Sequence, residues 1–308
     1  MYSPLIPAQT EQLPIRGVSY HVNCWGQGLD HNAPLLVLAH GWGDVGASYQ
    51  FVIDALGADW VAQRQIIAPD WRGFGRSEAP QSVDSYLFAD YFADLEVLLA
   101  HYAEDARPID LVGHSMGGNV AMLYAGIRPE RVRKLINLEG FGLPDGSPAQ
   151  APSRLRNWLD QTAQARAGKL AVRPYASRQA VAERLIKTNP RLSQDKALWL
   201  AGVWAKELEN GQWQVLVDAG HKVSSPLVYR AEETLALYRE ITADVLAIEA
   251  TDCSLSQFWD GTYTVAQYHE RLQNVAHHTI RTVDNASHNI HHDQPEILAE
   301  WMREFLAY

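Results

Sequence analysis

Short apolar runs alternate with helix-period stretches through the first half of the chain, as parallel-sheet architectures require, because strands buried on both faces read as continuous hydrophobics. The pattern predicts an early antiparallel strand from Gly17 to Cys24, then strands over Leu35 to Ala39, Gln65 to Ala68, Ile109 to Val112 and Lys134 to Leu138. From about Pro144 to Arg239 no comparable strand run occurs. Helix-forming stretches follow one another there instead, at Ser153 to Ala167, Ser177 to Lys187 and Gln194 to Glu209. Strand signals resume at Val245 to Ile248 and Thr279 to Val283. Pro295 to Leu306 reads as a closing helix with proline in its first turn. The expected organisation is one α/β core over residues 1–143 and 241–308, interrupted by a helical cap over residues 144–240. At 308 residues the chain suits one large domain carrying such an insertion.

Composition changes this picture little. Hydrophobic residues make up 47% and charged residues 20%, with Gly and Pro scattered, which suits a globular enzyme. A formal net charge of -10 leaves no Lys/Arg stripe to neutralise phosphates, so nucleic acid is not an expected partner. Cys24 and Cys253 stand far apart without metal-ligand spacing, which argues against a disulfide framework or a zinc site. Met1 to Glu11 lacks a basic stretch followed by an apolar one, and no apolar run is long enough to span a bilayer. The expectation is a cytoplasmic protein with no membrane span. Oligomeric state is not legible.

The candidate chemistry centres on Gly113-His114-Ser115-Met116-Gly117-Gly118. An apolar strand precedes this run and a helical stretch, Asn119 to Ala125, follows it. That is the strand-turn-helix context of a G-x-S-x-G nucleophile elbow. Glycines flank such a serine because the tight turn leaves no room for side chains beside it. A serine hydroxyl is inert alone and needs a base, and the base needs an orienting acid. His288 is the candidate base, on a loop after the last predicted strand and before the closing helix. His291 and His292, together with His288 and Asp293, could be taken for a metal cluster, but nothing else in the sequence supports that reading, and no metal or organic cofactor is called for. His40-Gly41-Trp42-Gly43-Asp44 follows another apolar strand, where the backbone N–H of Trp42 could join that of Met116 in an oxyanion hole.

These segments, with Asp70-Trp71-Arg72-Gly73-Phe74-Gly75-Arg76-Ser77, resemble the α/β-hydrolase family along nearly the whole chain outside the cap. The resemblance is to its serine hydrolase-like branch, through His40-Gly41-Trp42, Gly113 to Gly118 and the cap segment Ser224-Ser225-Pro226. It implies an α/β-hydrolase fold, the order nucleophile, acid, histidine, and a turn at Gly73/Gly75 in place of a phosphate loop. The triad acid departs from the commonest pattern. Where most members carry an Asp three residues beyond a Gly, this chain reads Glu249-Ala250-Thr251-Asp252-Cys253, with Ala for Gly and the Asp one residue early. The competing candidate is Glu139, at the tip of the strand ending at Leu138, a position some family members and the serine hydrolase-like branch use. Glu139 is the preferred acid and Asp252 the alternative.

A serine at position 115, where a carboxylate would be needed for epoxide or haloalkane chemistry, favours acyl transfer to water. The expected function is hydrolysis of a small-molecule carboxylic ester or related acyl substrate. Carbon–carbon bond hydrolysis or cofactor-free perhydrolysis with the same triad, and a non-catalytic receptor on the scaffold, are the alternatives. Trp158, Trp199, Trp204, Trp213, Tyr175 and Tyr229 could roof an apolar pocket, although packing among the cap helices accounts for each singly. Arg230 could meet a substrate carboxylate or form a surface ion pair.

Overall fold

A computed structural model of the chain describes residues 2–26, 33–79, 83–104, 106–253 and 255–307. Every candidate site residue falls within this set. The chain runs β1 (Gln9–Ile15), β2 (Val18–Trp25), β3 (Leu35–Ala39), α1 (Gln50–Leu56), α2 (Ala58–Val61), β4 (Gln65–Pro69), α3 (Phe88–Tyr102), β5 (Ile109–His114), α4 (Met116–Ile127) and β6 (Val132–Leu138). It continues with α5 (Ala151–Arg166), α6 (Arg178–Thr188), α7 (Gln194–Trp204), β7 (Ala205–Glu207), β8 (Trp213–Val215), α8 (Ala231–Glu240), β9 (Asp244–Ala250), α9 (Leu255–Phe258), α10 (Val265–Leu272), β10 (His278–Val283), α11 (Ile290–Asp293) and α12 (Pro295–Phe305).

Eight strands form one sheet in the order β1-β2-β4-β3-β5-β6-β9-β10. The six from β4 to β10 are parallel, and β1 and β2 add an antiparallel edge. β3 is buried at every position, as its unbroken apolar run requires. β1 carries no such signal. Its QTEQLPI sequence is mostly exposed, polar and contains Pro14, which suits only a sheet edge.

One apolar layer joins α3, α4, α8 and α10 to a face of the sheet through Leu95, Leu98, Val120, Tyr238 and Tyr268. The opposite layer holds α1 and α12 through Val52, Ile53, Leu298 and Met302. Sheet and helices are thus three stacked layers with two cores.

Between β6 and β9 lie α5 to α8 and one element that the pattern does not announce. The helix expected over Gln194 to Glu209 stops at Trp204, and β7 pairs antiparallel with β8 to make a small second sheet. Leu216 N–H takes the Trp204 carbonyl at 2.8 Å, so the chain leaves the helix for an extended pairing that three-residue strands are too short to signal. Val181, Leu185, Leu192, Leu200 and Ala201 form a small core of their own, with Tyr175, Trp199, Trp204 and Trp213 packed against it and Phe51 of α1 beneath. Among the described residues no helix is long and apolar enough to cross a membrane.

Candidate functional site

Register brings the candidate residues to one level of the sheet. His114 at the end of β5 pairs with Leu138 at the end of β6, and Leu138 pairs with Ile248 of β9. The next residues, Ser115 and Glu139, therefore leave adjacent strands at the same height. Ser115 adopts φ 51 and ψ -114, and its N–H donates to the Leu138 carbonyl at 2.8 Å. A non-glycine residue held there stores strain, of order 1–3 kcal/mol, that its surroundings must offset. The surroundings are glycines for a steric reason. A Cβ on Gly113 would lie 2.4 Å from the Gly117 carbonyl oxygen, and one on Gly117 would lie 2.1 Å from that of Ala39.

Glu139 is also held at positive φ, 53°. Its N–H donates to Ile248 O at 3.1 Å, and its side chain is almost wholly buried. Oε1 accepts the Ala250 N–H at 2.8 Å, and Oε2 lies 3.1 Å from Nδ1 of His288. The His288 side chain is 43% exposed, so its ring borders solvent on one side and the buried carboxylate on the other. Asn137, which the sequence does not single out, fixes this turn. Its Oδ1 accepts from Gly140 N–H at 3.0 Å, and its Nδ2 donates to Gly140 O and Tyr268 Oη, both at 2.9 Å.

Asp252 stands elsewhere. It pairs with Arg191 from the segment between α6 and α7, its side chain is 57% exposed, and its N–H donates to Ala286 O at 3.1 Å. Asn189 of the same segment donates to Asp293 Oδ1 at 2.7 Å, and Asp293 Oδ2 accepts from Ser287 N–H and Oγ–H. His288 and Asp293 thus have separate partners, and the four-residue metal grouping with His291 and His292 is not assembled. Arg230 lies near Glu232 and Glu233, at 3.6 and 3.9 Å, on the surface.

The loop after β3 closes against the elbow. A Cβ on Gly41 would come within 2.8 Å of His114 Nδ1 and 3.2 Å of Ser115 Cβ, so this loop runs directly against the turn at Ser115. Met116 opens α4, where the first-turn N–H groups have no intrahelical acceptor and the helix dipole favours negative charge. His40 is buried and ties this loop down. Its Nδ1–H donates to Gly41 O at 2.7 Å and its Nε2 accepts the Trp71 N–H at 2.8 Å, while burial holds it below its ordinary pKa. In the following turn the Asp70 carboxylate accepts from Gly46 N–H at 2.7 Å and Arg76 N–H at 2.9 Å, and a Cβ on Gly75 would meet Asp70 Oδ2 at 2.2 Å. A carboxylate fills the space that a phosphate would need. Cys253, the thiol nearest this region in sequence, is no rival nucleophile, since burial and the Glu139 charge push it up to about 12.

A sequence profile described as "Alpha/beta hydrolase family" matches residues 36–301. The chain belongs to that family. As an alpha/beta hydrolase it is 25% identical over 301 residues to a "Serine hydrolase-like protein" of Danio rerio, covering 96% of this chain and 87% of the relative. It is 34% identical over 136 residues to a "3-hydroxybutyrate-oligomer hydrolase" of Cupriavidus necator, over 44% of this chain and 41% of that one. Among solved structures, the "Thioesterase Domain From Curacin Biosynthetic Pathway" superposes with a TM-score of 0.79 at 20% identity, covering 96% of this chain and 99% of the other, which is a likeness of fold.

Proposed function

We propose that this alpha/beta hydrolase is a serine hydrolase that cleaves a carboxylic ester or a related acyl substrate through an acyl-enzyme on Ser115. The observation that carries the reading is the 3.1 Å contact between Glu139 Oε2 and His288 Nδ1, made at the sheet level from which Ser115 leaves β5. A carboxylate there keeps the proton on Nδ1 and leaves Nε2 basic. His288 then takes the Ser115 hydroxyl proton as Oγ attacks the acyl carbon, and returns it to the leaving alkoxide. The Trp42 and Met116 amides hold the oxyanion, each contributing on the order of 3 kcal/mol in a preorganised site. Water then attacks the acyl-enzyme by the same route, and the product acid leaves.

Residues 144–240 act as a lid in this reading, anchored beside the base loop through Asn189–Asp293 and Arg191–Asp252. Cys24 and Cys253 are not joined in a disulfide, which suits a reducing cytoplasm. A fluorophosphonate probe followed by peptide mass spectrometry tests the nucleophile. Stoichiometric adduct on Ser115 is expected, and an unlabelled Ser115 in folded protein would overturn the reading in favour of a non-catalytic receptor.

A further inference from the structure

Behind the nucleophile, three side chains from separate segments meet out of contact with solvent: Asp44 from the loop after β3, His114 from the end of β5 and His291 from α11. One ligand-type atom from each lies within 4.8 Å of the others, and all three residues are buried. Their hydrogen bonding is incomplete in a specific way. His114 Nε2 lies 2.8 Å from the His288 carbonyl, which can only accept, so Nε2 carries the proton and Nδ1 is a bare lone pair. That Nδ1 has no hydrogen-bond partner among the described residues, and neither ring nitrogen of His291 has one. His291 Nε2 approaches Asp44 Oδ2 to 3.4 Å without the alignment of a hydrogen bond.

Buried polar atoms are rarely left in this state, because each forfeits the hydrogen bonds it would make to water. His40 is the contrast, a buried histidine a few residues from Asp44 with both nitrogens engaged.

We propose that Asp44, His114 and His291 form a site for a divalent transition-metal ion of the zinc class. Two imidazoles and a carboxylate are a common ligand set for such ions, with a fourth position left for water. The outer contacts are those that metal ligands need. His114 donates its other ring N–H to a backbone carbonyl, and Asp44 Oδ1 is fixed by the Val45 N–H at 2.8 Å and the Ser48 hydroxyl, which turns Oδ2 inward.

Tetrahedral bonds of about 2.1 Å separate ligand atoms by about 3.4 Å, so a pair at the 4.8 Å limit closes by at most roughly an ångström and a half. The ion would join the loop bearing Trp42, the strand that ends just before Ser115 and the segment bearing His288.

The experiment uses the full chain after chelator dialysis. Zn2+ is titrated in competition with a chromophoric chelator, Co2+ serves as the spectroscopic probe, and the thermal midpoint is followed. One equivalent, a tetrahedral cobalt spectrum and a raised midpoint are expected. His291→Gln and Asp44→Asn should each weaken binding by at least about 10-fold, while the surface variant His101→Gln should not. X-ray absorption on the wild-type zinc complex, expected to count two imidazoles and one carboxylate, needs no variant to fold. Absence of a bound equivalent, retention of full affinity in both variants, or a different imidazole count would overturn the site. These readouts concern binding, so they succeed or fail apart from acylation of Ser115.

Discussion

Glu139 and His288 are 149 residues apart, and the structure sets the carboxylate Oε2 of one 3.1 Å from Nδ1 of the other while Oε1 is held by the Ala250 N–H at 2.8 Å. β6 lies between β5, whose end leads into Ser115, and β9, whose Ala250 N–H holds Oε1, and the Glu139 side chain reaches the loop after β10 that carries His288.

Substituting each candidate acid separates them. Glu139→Gln should lower kcat toward a nitrophenyl ester by about 10⁴-fold, the scale on which a triad histidine loses its correct tautomer. Asp252→Asn should leave kcat within a few-fold and cost less than about 1 kcal/mol, because it removes an ion pair at the surface. The reverse order in steady-state assays would return the acid to Asp252.

Asn137 should behave as a positioning residue. Asn137→Ala removes all three hydrogen bonds to Gly140 and Tyr268 and leaves buried partners unmet, at a cost of about 3 kcal/mol in chemical denaturation. In the fraction that remains folded, kcat should fall with KM nearly unchanged, since the turn aims Glu139 and touches no substrate. Equal kcat in folded variant and wild type would refute this.

Gly41→Ala tests the oxyanion loop. A methyl group 2.8 Å from His114 Nδ1 has no room, so the loop must retreat from the elbow and carry the Trp42 N–H with it. Loss of one such donor typically costs 10²–10³-fold in kcat, so a fall of about 10²-fold with an intact fold is expected. An unchanged rate would show that Trp42 donates nothing to the transition state.

The candidate elbow, base and acids can be named from sequence because each is a local pattern: glycines around a serine after an apolar strand, a histidine before the last helix, an acid at or just beyond a strand tip. What distinguishes the two candidate acids is not local, since it turns on the Leu138–Ile248 register and on Arg191 pairing with Asp252. Asn137 and the Asp44, His114 and His291 grouping were missed for the same reason. Their partners lie far along the chain and meet only once β3, β5 and α11 are packed. The short β7–β8 pairing offered too few residues for any period to show.

His221 supplies a pH test of how the inserted segment is fastened. Its ring is stacked between Phe74 and Tyr86, with centroids 3.8 and 3.9 Å away, and its Nε2–H donates to Arg72 O at 3.0 Å. Beside it, Asp218 N–H bonds Gly73 O and Gly75 N–H bonds Leu216 O, both at 2.8 Å, so this is where residues from the inserted segment meet the turn after β4. Burial lowers His221 from 6.5 to about 4. The folded form therefore resists protonation, and between those two values the unfolded chain binds more protons. The neutral ring's contribution is full above 6.5 and is lost as pH falls toward about 4, with a slope of at most about 1.4 kcal/mol per pH unit. His221→Phe keeps the stack and abolishes the titration. Its stability should decline less steeply than that of wild type across this window, and, if the inserted segment covers the substrate as proposed, KM of wild type should rise at the acid end as that segment loosens. Parallel stability curves for the two proteins would mean that His221 titrates in the folded state as it does in water.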